Sequence, residues 1–215
     1  MARAYDLARL GPVYEQAGFG ARLAKVVGFA RARLGGEVVV AEAGGELVGV
    51  AAGAVFDGTG WVGGVAVVPA SRRLGLGGAL TEAVVAFLQG RGATTVLLHA
   101  TDLGRPVYER LGFVPDGAYL TLVGPTRPPG SPGPAGPGAG PAPAVRPGRA
   151  ADLEAVLAAG GDELAVSVPA ANPAAVRFLR AAGFSERFRT LRMRRGPRVP
   201  WDPTALFGAH NLFWG

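Results

Sequence analysis

The chain has no cysteine, which excludes disulfides, thiolate metal sites and a cysteine nucleophile. Histidine is almost as scarce. His99 and His210 are the only two in 215 residues, so a histidine-built metal centre is not expected, and no metal is. Lysine occurs once, at Lys25, and the formal charge of +6 is carried almost wholly by arginine. No run of basic residues is interleaved with aromatics and no zinc-finger spacing occurs, so nucleic acid is not an expected partner. Long hydrophobic runs are missing as well. No apolar stretch of about 18 residues is free of charges and loop formers, and no membrane partner is expected. Residues Met1 to Leu10 lack the apolar core of a secretory signal, so the expected location is cytoplasmic.

What is present suffices for a buried core, since hydrophobic residues make up 49% of the chain and charged residues 18%. Residues 6–16 and 19–34 read as helices. In the second, Leu23, Val26, Val27, Ala30 and Leu34 recur at three- and four-residue steps, which places them on one face. Strands follow over 37–42, 46–56 and 61–68. The first two are joined by Gly44-Gly45, a two-residue hairpin turn, so this part reads as an antiparallel meander. A helix over 76–88, a strand over 96–99, a short helix over 104–111 and a strand over 119–123 complete the first part. This order predicts a mixed α/β fold, a mostly antiparallel sheet flanked by helices.

Residues 125–148 differ in kind. Nine of these 24 are proline and six are glycine, the composition of an extended linker. It separates a domain over 1–124 from a C-terminal module over 149–215. In the module, 151–159 reads as a helix, 164–168 as a strand, 173–182 as a helix capped by Asn172, and 188–193 as a strand, with an irregular remainder. The two parts share a pattern. Pro106 to Phe113 aligns with the stretch ending at Gly183-Phe184, each a helix closed by Gly-Phe between two strands. The second copy has no counterpart of residues 37–90.

The segment richest in chemistry runs from Val65 to Leu80: a strand, a loop with Arg72, Gly75 and Gly77, then an amphipathic helix. The first amides of a helix have no intrahelical partner and carry partial positive charge, so they bind phosphate oxygens well. Glycines let such a group approach the backbone. The residues alone therefore point to a phosphate-bearing ligand. No Gly-Lys-Ser/Thr follows the glycines, which excludes a Walker P-loop, and the antiparallel strands ahead fit a dinucleotide fingerprint poorly.

Val65-Ala66-Val67, Pro69, Arg72, Gly75 and Gly77 together resemble the acetyl-CoA-binding motif of the GNAT (GCN5-related N-acetyltransferase) superfamily. Arg105 to Phe113 is similar to that family's Tyr-containing Leu-Gly-Phe signature. The resemblance covers about residues 19–124. It implies the GNAT fold, acetyl-CoA as co-substrate, and acetyl transfer to a primary amine of a small molecule or peptide. It further implies that the backbone of Val65, Ala66 and Val67 binds the pantetheine arm. The loop and helix start, Arg72, Arg73, Leu74, Gly75, Leu76, Gly77 and Gly78, would hold the pyrophosphate. Tyr108 would protonate the leaving thiolate. The asparagine that often precedes this tyrosine in the family is replaced by Thr101. The C-terminal module resembles the later half of a second, shortened GNAT-like unit of the tandem type. It has Leu179 where the first copy has Tyr108 and lacks the arginine–glycine loop, so a non-catalytic role is expected.

A base is less legible. His99 closes the strand that would line the cleft and is one candidate for taking the amine proton. Asp102 is another, and water with an already neutral amine is a third route. A catalytically inactive acyl-CoA sensor or scaffold is the alternative to an enzyme, and a homodimer is left open.

Overall fold

The computed structural model describes residues 9–20, 22–125, 163–204 and 206. These fall into two compact units. The first comprises the described residues up to Asp116 together with Arg192–Val199; the second comprises the described residues of Gly117–Leu191 and those from Pro200 onward.

In the first unit two helices, α1 (Leu10–Ala17) and α2 (Arg22–Leu34), precede a meander of β1 (Glu37–Ala43), β2 (Glu46–Phe56) and β3 (Thr59–Val67). Both turn glycines between β1 and β2 have positive φ, 57° at Gly44 and 82° at Gly45. A two-residue turn that matches strand twist demands that conformation, and glycine adopts it without steric cost. β1–β2 and β2–β3 pair antiparallel. Helix α3 (Leu76–Gly90) then crosses over to β4 (Thr95–Ala100), which pairs with β3 in parallel. The short α4 (Arg105–Arg110) and the first residues of β5 (Val114–Pro125) follow. The Arg192–Arg195 end of β7 (Ser185–Arg195) lies next to β4 in strand order.

Helix α3 buries Leu80, Val84, Val85 and Leu88 against the sheet. It sits unusually close because β2 offers no side chain where the helix crosses. A Cβ on Gly53 would collide with Val84 Cγ1, and one on Gly49 would stand 2.9 Å from Leu80 Cδ1. These two glycines, four apart, share one face of the strand. They bring the helix down and so fix where its N-terminus stands relative to the end of β3.

In the second unit β5, from Gly117 on, pairs antiparallel with β6 (Glu163–Pro169), from Tyr119↔Pro169 to Pro125↔Glu163. Helix α5 (Pro173–Ala181) packs Ala175 and Leu179 on a core with Leu120, Leu122, Val166, Val168 and Phe184. Asn172 caps it: its Oδ1 accepts from Ala175 N at 3.0 Å, and its Nδ2 donates to Leu206 O at 3.1 Å.

The element types match the sequence reading wherever residues are described. β5 and β7 extend beyond 119–123 and 188–193, because charged and polar residues such as Asp116 and Arg195 continue the ladder past the apolar run that marked it. Of the expected linker only Pro125, the last residue of β5, is described; the rest and the expected helix over 151–159 lie outside the described residues. The division of the chain at 124 assigned Arg192–Val199 to the C-terminal module, whereas by contacts they belong with the first unit. Among the described residues no helix is long and apolar enough to cross a membrane.

The glycine gap beneath α3 gives a stability test. Gly53→Ala forces the helix off the sheet and is expected to cost about 1–3 kcal/mol, as overpacking typically does, lowering Tm by several degrees. Gly90→Ala meets nothing within 4 Å and is expected to leave Tm unchanged or slightly higher. Equal melting of the two variants would refute this account of the α3 seat.

Candidate active site

Strands β3 and β4 are paired from Thr59↔Thr95 to Val62↔Leu98 and part from Gly63 onward. The cause lies in β3. Ala52 faces Gly63 and Val50 faces Ala66, so Gly64 and Val65 together oppose the single residue Ala51. This is a bulge, and Gly64 supplies the positive φ of 60° that such a bulge uses at its first position. Bulges bend the strand and increase its twist, here steering β3 away from β4. Tyr14 of α1 locks the bend, donating its hydroxyl hydrogen to Gly64 O at 3.1 Å. Beyond the bulge β3 stays on β2, with Ala66 on Val50 and Val67 on Gly49. Val65, Ala66 and Val67 therefore lie along one arm of a fork.

The chain leaves that arm through a turn at Pro69–Ser71. Arg72 ties the loop down: its Nε donates to Val67 O at 3.1 Å and its Nη2 to Ala17 O at 3.5 Å. Arg73 has φ of 64°, a conformation costly for a residue with a Cβ and concentrated at functional sites. Gly75 follows with φ of 78°. The first bond of α3 runs from Ala79 N to Gly75 O at 3.1 Å, so the amides of Leu76, Gly77 and Gly78 have no helical acceptor upstream. A Cβ on Gly77 would meet nothing within 4 Å, so the approach to these amides is open. Arg72, Arg73, Leu74 and Gly75 are all exposed around them, Leu74 at 72%.

Helix α4 begins after Thr101, whose carbonyl and hydroxyl oxygens both accept from Gly104 N, at 3.0 and 3.3 Å. Threonine thus braces the turn ahead of the helix. The helix lies beside the first turn of α3: Val107 Cγ1 is 3.9 Å from where a Cβ on Gly78 would stand. Tyr108, the next residue, is 8% exposed. Its ring folds back over Gly104, where an added Cβ would come within 2.9 Å of Cε2, and meets Phe113 edge-on at 6.1 Å. Burial pushes the Tyr108 phenol up to about 12, so it stays protonated at neutral pH.

His99 is the first residue of β4 past the last pair with β3. Its ring stacks on Trp61 at 5.6 Å and 18°, and the Arg192 guanidinium lies over the same Trp61 ring at 5.9 Å. Burial, and then the positive charge of Arg192, lower its pKa to about 3. The imidazole is therefore neutral at working pH and a weak base. Asp102 is exposed in the turn before α4.

Tyr14, Gly64 and Arg192 were not legible as site residues. Gly63-Gly64 inside a strand is a recognisable bulge signal, but nothing in sequence pairs it with a tyrosine fifty positions earlier. Arg192 is one of many arginines in its segment, and only the fold sets it apart. Among the described residues no group of three or more His, Asp or Glu converges as a metal site.

Comparison with known proteins gives the chain's family and fold. Residues 34–115 match a family described as an acetyltransferase (GNAT) domain, and residues 132–208 match a second description of the same kind. No curated protein matches the chain. Among solved structures, a Pyrococcus horikoshii protein assigned as an acetyltransferase covers 100% of this chain and 94% of its own, with a TM-score of 0.80 at 17% identity; the whole chain shares its fold. A GNAT family acetyltransferase from Brucella melitensis, solved with acetyl-CoA, is 31% identical over 53% of this chain and 79% of its own, with a TM-score of 0.45. PaiA N-acetyltransferase from Thermoplasma acidophilum, solved with coenzyme A, is 14% identical over 53% of this chain and 86% of its own, at a TM-score of 0.46.

The depressed His99 sets a pH signature. An unfolded histidine titrates near 6.5, so between there and about 3 the unfolded chain binds a proton that the folded chain does not. His99 therefore contributes stability that is complete above the upper value and lost as pH falls through the window, by roughly 1 kcal/mol per pH unit. Denaturant unfolding from pH 7 to 4 is expected to show a shallower acid slope in His99→Gln than in the unaltered protein. Parallel slopes would mean that the ring titrates normally.

Proposed function

The chain belongs to the GNAT acetyltransferases, and from that premise we propose that it is an N-acyltransferase moving an acetyl group from acetyl-CoA to a primary amine of a small molecule or peptide. The observation that carries the reading is the fork: an arm of β3 ending in a helix N-terminus with free amides, with Tyr108 on the helix alongside.

The residues suit coenzyme A. The arm Val65-Ala66-Val67 offers strand edge to an extended, amide-bearing chain, as a neighbouring strand would. The Leu76, Gly77 and Gly78 amides, with the positive end of α3 behind them, suit a diphosphate. Arg72 does two things in this reading. It holds the loop in shape through Val67 and Ala17, and with Arg73 it adds positive charge. Leu74 and Gly75 complete the rim. When bound, acetyl-CoA supplies a thioester whose carbonyl carbon bonds to the amine nitrogen as the carbon–sulfur bond breaks, one amine proton leaving and the sulfur gaining one.

Tyr108 is the group assigned to the sulfur. Raised to about 12, its phenol is a weaker acid than a thiol near 8.5. It therefore works chiefly by donating a hydrogen bond to the developing thiolate, and solvent completes the protonation. His99, neutral with its pKa near 3, takes up a further proton poorly. We assign it to the wall of the site and leave the amine proton to water, so the acceptor reacts as its free base. The second unit has the fully buried Leu179 at the position of Tyr108, and its described residues offer no arginine–glycine loop; we read it as non-catalytic.

Tyr108→Phe is expected to lower kcat about 100-fold while the calorimetric Kd for acetyl-CoA hardly moves; matched losses in both would refute the hydrogen-bond role. Acetyl-CoA itself is expected to raise Tm, and less so in Arg73→Glu. Tight binding with no thiol release across an amine panel would identify a sensor instead of an enzyme.

A further inference from the structure

The helix that carries Tyr108 starts from a residue with no side chain. Gly104 has φ of −82° and ψ of −31°, a right-handed conformation that alanine adopts freely. No positive φ calls for glycine here. What a side chain would meet is the phenol. A Cβ on Gly104 would stand 2.9 Å from Tyr108 Cε2 and 3.5 Å from its Cζ and Oη. Helical side chains lean toward the N-terminus, so the side chain at 108 overlies position 104. An aromatic ring can lie down on that first turn only if the turn is bare.

The chain contains its own control. Helix α5 in the second unit repeats the local frame of α4. Gly104 N donates to Thr101 Oγ1 at 3.3 Å, and Ala175 N to Asn172 Oδ1 at 3.0 Å. Phe113 N donates to Tyr108 O, and Phe184 N to Leu179 O, both at 3.0 Å. Measured from each Gly-Phe pair, Ala175 stands where Gly104 does and Leu179 where Tyr108 does. Ala175 and Leu179 are both fully buried, so this frame accepts a Cβ when the side chain above it is not aromatic. The absence of a Cβ at Gly104 therefore goes with the ring and not with the backbone.

The ring has little freedom to go elsewhere. Tyr108 is buried, and Phe113, buried as well, meets it edge-on at 6.1 Å. Gly104→Ala would displace the ring by roughly half an ångström, enough to restore an ordinary carbon–carbon separation of about 3.5 Å. The hydroxyl lies at the far end of the ring and moves with it. A hydrogen bond weakens steeply once its distance and angle depart from the optimum.

We propose that Gly104 is a positioning residue of the acyl-transfer site: by leaving the first turn of α4 bare, it lets the Tyr108 ring lie between that turn and Phe113, and so sets where the hydroxyl stands toward the sulfur. The proposal rests on the assignment of Tyr108 to the sulfur. It adds that the aim of the donor is decided one helical turn away, by a residue that contributes no functional group.

The test uses the full-length protein and two double-substitution cycles. Gly104→Ala is expected to lower kcat roughly tenfold, since a full ångström of misplacement can cost about 100-fold, while the calorimetric Kd for acetyl-CoA stays in place. Added to Tyr108→Phe, which keeps the ring and removes the hydroxyl, it is expected to cost no further kcat. Stability couples to the ring instead. Gly104→Ala is expected to lower Tm more in the unaltered and Tyr108→Phe backgrounds than in Tyr108→Leu, which reproduces the pairing of the second unit. Without ligand, the Tyr108 ring resonances, identified by their absence in Tyr108→Phe, are expected to shift in Gly104→Ala. A kcat loss of equal size with and without the hydroxyl, an equal Tm change in all three backgrounds, or an unmoved ring would reduce Gly104 to a packing residue and overturn the proposal. If Tyr108→Phe turns over as fast as the unaltered protein, the assignment of Tyr108 falls first and the proposal with it. If Gly104→Ala does not fold, Phe113→Leu frees the opposite edge of the ring and takes its place in the kcat cycle, where a loss that persists in Tyr108→Phe decides against the proposal.

Discussion

Two parallel strands that cannot stay paired are the constraint from which the site follows. Val62 and Leu98 are the last partners of β3 and β4. Just past them Gly64 and Val65 bulge out of β3, where Gly64 is left-handed and Tyr14 holds its carbonyl. A closed ladder would satisfy the backbone of Val65 to Val67 from both sides and leave no edge for a ligand. The open ladder leaves an edge, and that edge leads directly into a helix whose first amides are also unsatisfied. Both halves of the proposed cofactor site are thus backbone groups that the fold withholds from their usual partners. Glycine at Gly64 and Gly75 supplies the positive φ that this backbone path uses.

The same economy governs charge. Tyr108 and His99 are both held neutral at working pH, the phenol by burial and the imidazole by burial together with Arg192. A neutral phenol donates a hydrogen bond; a neutral imidazole is a polar wall. Neither is poised near neutrality as an efficient general acid or base would be. The fixed charge belongs to arginine, which does not titrate in the working range.

Much of this was legible in the sequence because the relevant signals are local. The Gly44-Gly45 turn, the amphipathic α3 and the glycine-interrupted loop ahead of it each announce themselves within a dozen residues. The seat of α3 on Gly49 and Gly53 was not legible, since two glycines in a strand reveal only that something comes close and not what. His99 shows the limit most clearly. Its position at a strand end suggested a solvent-reachable base, but its proton affinity is set first by burial and then by Arg192, which is far from it in sequence. Arg72 shows a milder version: the motif implies a phosphate contact, and the fold adds a bond to Val67 O that shapes the loop.

Arg192 also bears on what counts as the catalytic unit. A division by composition, at the proline-rich stretch after residue 124, cuts between Asp116 and the three arginines that face it, Arg192, Arg194 and Arg198. Chain up to that point would contain the fork, the α3 amides and Tyr108, every residue that a motif identifies. It would also contain a carboxylate placed for burial with no cation beside it, and breaking a buried pair by removing one side is worse than never having had it. The strand neighbour of β4 would be missing too, exposing an unpaired ladder edge. The first unit is therefore continuous in space and discontinuous in sequence.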